Sequence, residues 1–362
     1  MIINRYLVSE IRKPLVVILA ILVALFGSFS TAGFLSDAVN GLLPTNVIAE
    51  LIGLKVLISL EVLIPISLYL SIVLAFGKLY GDSELTVMYA LRVSPMRVMG
   101  AALTLAAGLA VVVAALSLVA RPWAYQKMHE ISRRAEAQLD VSDMAAGTFY
   151  VGDNGNRVIF LAHRNGPNSP ARDVFVQLRR RNSIQVIYAR VAYELPSSKP
   201  SGGSNVYLGN ANIYEISREK GKPDHAINVQ SLVVNPNAQG EMSPKYSSVA
   251  ATTVDLAQSD TPSDIAEFQW RLSTALSVIL LAMLAVPLSR AQPRQGKYAK
   301  IGTAILIYSA YYLLYTTART WVQNAVVPSI PGIWWAPAML GLVVLVALLM
   351  PSMIFKYRRS PV

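Results

Sequence analysis

Six apolar runs constrain this chain more than any other feature: 15–35, 54–76, 98–120, 272–289, 301–318 and 333–350. Each is close to the ~17–25 residues that an α-helix needs to cross ~30 Å of hydrocarbon. Three precede residue 121 and three follow residue 264. Apolar residues make up 54% of the 362 and charged residues only 15%. A soluble domain of average composition carries ~25% charged residues, so a bilayer protein is indicated. The first run has an alternative as a signal peptide, since basic residues precede it and Ser30-Thr31-Ala32 has the small side chains of a cleavage site. Its apolar stretch exceeds the ~7–15 residues of such a segment, which favours a helix that stays.

Charge placement orients the helices. Arg5, Arg12 and Lys13 precede the first run, and Lys78, Arg92 and Arg97 lie between the second and third. Arg290, Arg294, Lys297 and Lys300 follow the fourth, and Lys356, Arg358 and Arg359 end the chain. The opposite short loops, 36–53 and 319–332, contain only Arg319. By the positive-inside rule both termini are cytoplasmic. Most of the net charge of +11 therefore resides in membrane flanks. It does not indicate nucleic-acid binding, which calls for a basic face on a folded domain.

The interval 121–264 falls outside the cytoplasm in this topology. It opens with a helical lead-in at 123–140 and then alternates apolar and polar residues as half-buried strands do. Strands are expected at 148–151, 157–162, 173–179, 184–195, 205–208, 211–217 and 226–234, with turns at 152–156, 196–204 and 219–224. Short strands at this spacing read as a sandwich, jellyroll or open barrel. The expected architecture is thus an α-helical membrane protein with six transmembrane helices (3 + 3) and an inserted all-β, jellyroll-like domain. Its segments are 1–120, 121–264 and 265–362.

Enzyme chemistry has no support. There is no cysteine, which removes disulfides, thiolate nucleophiles and Cys-based metal sites. The three histidines, His129, His163 and His225, are scattered, and no phosphate-binding glycine loop or nucleophile elbow occurs. No catalytic residue, metal or cofactor is expected in this chain.

Polar residues in costly places remain. Glu61 precedes Pro65 by four residues inside the second run. An intramembrane carboxylate costs ~2.5–3.5 kcal/mol on insertion scales, so it faces either a cavity or a partner on a neighbouring helix. Lys55, Arg271 and Arg319 stand at the outer ends of helices. They either snorkel or form a cationic mouth for an anionic lipid. Between the second and third runs, Asp82 and Glu84 lead a short amphipathic helix, 82–92, bearing Leu85, Met88 and Arg92. It either rests on lipid or inserts into a cytoplasmic partner; its acids favour the partner, because anionic headgroups repel them.

Met1-Ile2-Ile3 with Arg5-Tyr6-Leu7, Gly77-Lys78-Leu79-Tyr80 and Ser83-Glu84-Leu85-Thr86-Val87-Met88 resemble the LptF/LptG family of lipopolysaccharide-export permeases. Trp270-Arg271, Val286-Pro287-Leu288-Ser289 and Pro293-Arg294-Gln295-Gly296 are similar to its LptF branch. The resemblance implies a permease subunit of an ABC-type exporter in the bacterial inner membrane. Its implied partners are an ATPase subunit dimer, the sister permease LptG, the periplasmic jellyroll proteins LptC and LptA, and lipopolysaccharide itself. It also implies that the segment matching 82–91 is the coupling helix and that the acid matching Glu84 contacts the ATPase. Family members often carry basic residues near the outer end of helix 1, where this chain has the uncharged Phe29-Ser30-Thr31-Ala32-Gly33. Independently of the resemblance, Lys55, one helix away, is expected to substitute for those basic residues.

Lipid contacts are therefore expected at Lys55, Glu61, Arg271 and Arg319. Within the β domain they are expected on an apolar face that includes Phe149, Phe160 and Val176, with Val151, Val158, Val174 and Leu178. Two other readings stay open: the sister permease, and a non-transporting sensor or anchor with a docking domain.

Overall fold

The computed structural model describes residues 2–39, 43–137, 146–152, 157–164, 166, 169–179, 183–195, 205–218, 223–234, 246–290 and 300–357. The Pro293–Gly296 motif, most of the 152–156 turn and the 196–204 turn lie outside these residues. The chain divides into two compact units, one of residues 1–28, 54–126 and 247–362, the other of residues 29–53 and 127–246.

The first unit is helical. The helices of the described residues are α1 (Ile2–Val39), α2 (Ile48–Gly81), α3 (Glu84–Ala90), α4 (Pro95–Ala115), α5 (Arg121–Ala137), α6 (Thr253–Ala257), α7 (Pro262–Leu288), α8 (Ile301–Gln323) and α9 (Trp335–Tyr357), of which 29–39, 48–53 and 127–137 are counted with the second unit. Five helical stretches are long and apolar enough to cross a membrane, and Trp335–Leu349 supplies a shorter sixth. All six expected runs fall on helices among the described residues, and α1 and α2 outrun theirs at both ends because polar flanks continue the same backbone. The lead-in at 123–140 is not separate: α4 passes through a π-helical turn, Leu116–Ala120, directly into α5. Local signals set the starts. Ser94 accepts from the Met96 amide at 3.2 Å and Pro95 takes the first helical position of α4.

One apolar core joins α1, α2, α3, α4, α7, α8 and α9. Leu7 and Ile11 of α1, Tyr69, Ile72 and Phe76 of α2, and Leu85 of α3 are fully buried in it. On α4 the buried positions are mostly small, among them Ala101, Ala102, Ala106 and Ala110; on α7 they include Ala282 and Ala285. Small side chains let helix backbones approach where lipid offers no hydrophobic drive to associate. Serines in the apolar helices return their hydroxyls to the preceding turn, as Ser67 does to the Leu63 carbonyl at 2.6 Å.

The second unit is an antiparallel meander of six strands in chain order: β1 (Phe149–Gly152), β2 (Arg157–His163), β3 (Ala171–Arg179), β4 (Ser183–Leu195), β5 (Asn205–Ser217) and β6 (His225–Val234). The two strands expected at 205–208 and 211–217 are one, β5. Asn210 lies between them with φ +50°.

That residue belongs to a line across the sheet. Ala171, Ala192, Leu208 and Leu232 share one row; Val174, Ala189, Ala211 and Val229 share another. Both rows line the same apolar interior. Within each strand they are an odd number of residues apart, which simple alternation forbids. The ladder skips Asp173, Arg190 and Asn210 between them. Asp173 (φ +54°) and Asn210 take left-handed backbone there and turn the strands over. The Tyr188 hydroxyl donates to Asp173 Oδ1 at 2.6 Å.

This arrangement corrects the expected strand face. Phe149, Phe160, Phe175 and Tyr188 register in one row, and Ile159, Val176 and Ile187 in the next. Adjacent rows point to opposite faces. Val176 packs against the interior, whereas Phe149 is 62% exposed and stacks on Phe160 at 4.4 Å. Val158 lies one residue from Ile159 and shares the Phe160 side.

Candidate functional site

A buried ionic cluster ties together α2, the π turn, α6, α7 and α8. Glu61 on α2 is 3% exposed. Its Oε1 accepts from the Ser117 hydroxyl at 2.9 Å and the Trp270 indole at 2.9 Å, and Arg121 reaches both carboxylate oxygens at 3.2 and 3.0 Å. Arg121 also approaches Glu267 Oε2 at 3.4 Å. The Glu267 carboxylate, fully buried, takes Arg271 Nε at 3.0 Å and Arg319 at 2.6 Å. Three guanidinium groups and two carboxylates leave one positive charge in excess. Trp270 lies against two of these cations, 4.9 Å from Arg319 and 5.9 Å from Arg121, and stacks on Tyr315 at 4.2 Å.

The π turn is where this cluster meets the backbone. A π turn inserts one residue into a helix and frees backbone groups, and such turns concentrate at functional positions. Ser117 and Arg121, at the second residue of the turn and just past its end, are both held by Glu61. Within the turn, the Leu118 carbonyl accepts from the Thr253 hydroxyl at 2.8 Å. Thr253 in turn accepts from Arg271 at 3.0 Å.

These contacts decide between the expected roles. Glu61 is a carboxylate satisfied by neighbouring helices. Arg271 is not part of a cationic mouth: it is fully buried and donates to Glu267, Thr253 and the carbonyls of Ser248, Val249 and Ala251. A guanidinium has five N–H donors in a fixed fork, and all three nitrogens of Arg271 are engaged here. Arg319 keeps 19% of its side chain exposed and is the outermost cation of the cluster. Lys55 is half-buried and makes no ion pair among the described residues.

Arg121 and Glu267 were not singled out from the sequence. Glu267 and Arg271 are spaced i, i+4 on one helix, a readable pairing signal. Arg121 directly abuts an apolar run, where an arginine is costly enough to ask for a partner. Gln269 has another role: its amide donates to the Ser329 carbonyl at 2.7 Å and accepts from the Ile333 amide at 2.8 Å, holding the turn before α9.

The loop between α2 and α4 differs in detail from expectation. Asp82 does not cap α3. Its amide bonds the Lys78 carbonyl at 2.8 Å and that of Ser83 bonds Tyr80 at 3.0 Å, so both still close α2. Ser83, with φ +62°, precedes α3 and its side chain makes no cap. At the far end the Val93 and Arg92 amides bond Met88 and Tyr89, and Arg92 takes φ +62°; this is a Schellman closure in which the Arg92 backbone stops the helix. Leu85 is fully buried and Met88 half-buried against the core. Val87 (56%) and Leu91 (75%) face outward. Glu84 Oε2 accepts from the Tyr6 hydroxyl at 2.6 Å.

Comparison with known proteins agrees with this architecture. Residues 5–350 match the family model for the lipopolysaccharide export system permease LptF/LptG. The chain is 30% identical over 329 residues to the lipopolysaccharide export system permease protein LptF of Escherichia coli K12, an alignment covering 88% of this chain and 87% of the relative. The same figures hold for the LptF protein of Shigella flexneri.

Proposed function

Because the chain belongs to the lipopolysaccharide export permease family LptF/LptG, we propose that it is the LptF-type subunit of an ABC-type exporter that lifts lipopolysaccharide from the inner membrane. Its multiple apolar helices make it a multi-pass inner-membrane protein. The observation that carries the LptF assignment is the 30% identity to proteins of that name over 88% of the chain.

In this reading both termini are cytoplasmic and residues 121–264 are periplasmic. A separate ATPase dimer hydrolyses ATP and pushes on the outward face of α3, where Glu84, Val87 and Leu91 are presented. Leu85 and Met88 seat α3 on the core, and Arg92 ends it. A sister permease, LptG, completes the path, and Lys55 and Arg319 supply cations for lipid phosphates. The apolar side of the sheet, with Val176, receives acyl chains and hands them to periplasmic jellyroll partners such as LptC and LptA.

Complementation tests the assignment. Cells depleted of LptF should grow when this chain is supplied, and should release lipopolysaccharide in an ATP-dependent way from membrane vesicles. Rescue of LptG-depleted cells instead would overturn the LptF assignment. Rescue of neither, with the chain correctly inserted and bound to no ATPase, would favour a non-transporting anchor.

A further inference from the structure

The helix α1 is seated most deeply on the core at its start; farther along, Leu19 packs against the core at partial burial and Ser30 is buried. Leu7, Ile11 and Leu15 are buried with Phe76, Leu79 and Leu85. From Val16 onward the helix turns large apolar residues outward: Val16 61%, Val17 57%, Ile21 54% and Leu25 63% exposed. Only 6% of its most apolar window is buried. The first part is thus the most firmly held section of the helix, and what fixes it bears on the exposed apolar face that follows.

Two polar links fix it. Both lead to the loop that carries α3. Tyr6 donates to Glu84 at 2.6 Å, within the ~2.5–2.7 Å range of a hydroxyl bonded to an ionised carboxylate. Glu10 lies 3.6 Å from Lys78, the basic residue in the last turn of α2. Between these links Leu7 and Leu85 meet in one core. A carboxylate oxygen bonded by a tyrosine leaves the second oxygen free to accept from another donor.

We propose that Tyr6 is a positioning residue that transmits displacement of α3 to α1, with the Glu84 carboxylate as the shared joint between a cytoplasmic partner and α1. This rests on the permease reading above, which supplies the force on α3. The hydroxyl of Tyr6 is the element that matters. Its ring, 37% exposed, could be replaced by phenylalanine without loss of packing. When α3 moves, the cytoplasmic part of α1 moves with it, and the outward apolar face at Val16, Val17 and Ile21 is displaced against lipid or a neighbouring subunit.

The chain has no cysteine, so a single one can report on α1 alone. Val17→Cys, carrying an environment-sensitive fluorophore, would be placed in the full complex with a cysteine-free ATPase and sister permease in proteoliposomes. Addition of ATP should change the emission. In the Tyr6→Phe background ATP hydrolysis and assembly should persist, while the emission change and the lipopolysaccharide released per ATP fall about tenfold. Glu10→Gln should give a smaller loss in the same direction. An emission change of full size in both variants would overturn the transmission role and leave the permease reading standing. No emission change in the unsubstituted complex, with ATP being hydrolysed, would also overturn it. Failure of the unsubstituted chain to bind any ATPase would overturn both. A merely structural role for Tyr6 would lower the yield and thermal stability of the complex and leave release per ATP intact, and that outcome too counts against the proposal.

Discussion

Arg121 binds both carboxylate oxygens of Glu61, at 3.2 and 3.0 Å, across two helices that hydropathy alone would treat as inert spans. Removing one partner of a buried pair leaves the other charged and unsolvated, at a cost of about 3–5 kcal/mol. Glu61→Ala should therefore lower thermal stability in detergent strongly. Glu61→Gln, which keeps an acceptor for Ser117 and Trp270, should cost less. The double substitution Glu61→Ala with Arg121→Ala should be less harmful than the two single effects added. Simple additivity in thermal unfolding would show that the pair is not coupled.

Gly332→Ala should destabilise the turn before α9. Its φ is +58°, and an added Cβ would fall 2.0 Å from Gln269 Oε1 and 2.6 Å from the Ser329 carbonyl oxygen. The backbone conformation alone costs ~1–2 kcal/mol for a residue with a Cβ, and the Gln269 amide must also leave its two partners. Thermal unfolding in detergent should show a clear drop, and the same substitution at Gly108, where nothing lies within 4 Å, should be silent.

Asn210 takes the left-handed region, which asparagine tolerates and β-branched residues avoid. Asn210→Gly should leave the β unit folded with nearly unchanged stability. Asn210→Val should cost about 1–2 kcal/mol. Hydrogen exchange of β4, β5 and β6 amides is the direct measure, and equal protection in both variants would refute the assigned backbone role.

On α3 the two faces should separate fold from partner binding. Leu85→Asp places a charge in the core and should abolish folding. Val87→Asp and Leu91→Asp, on the outward face, should leave thermal stability unchanged and weaken association with the ATPase by about tenfold or more, the loss typical of a central interface residue. Undiminished co-purification with both outward substitutions would move the coupling contact elsewhere.

Much of this was legible in the residues. Six apolar runs and the polar interval between them are composition signals that survive any packing, and strand starts such as Arg157 and Asn205 follow alternation and turn residues. The ionic cluster was not legible because it is assembled from α2, the π turn, α7 and α8, and a π turn leaves no mark in hydropathy. Arg271 reads as an outer cation because its position marks a helix end, whereas its burial depends on Glu267 one turn earlier and on carbonyls from a distant turn. Asp82 read as a cap because capping chemistry looks the same whether a helix is about to begin or has just ended. Phe149 and Val176 look alike in sequence because parity relates residues only within a single strand, and only the pairing register shows which faces of neighbouring strands coincide.

The skipped rung at Asp173, Arg190 and Asn210 has a collective consequence. It behaves like a dislocation in a crystal: every strand it crosses carries one surplus residue, and the surplus is harmless only because the neighbours carry it too. Shortening one strand alone would throw half of it out of phase with both neighbours and turn its apolar side chains to the wrong face. Insertions and deletions in this sheet are thus constrained jointly across strands, and substitutions strand by strand.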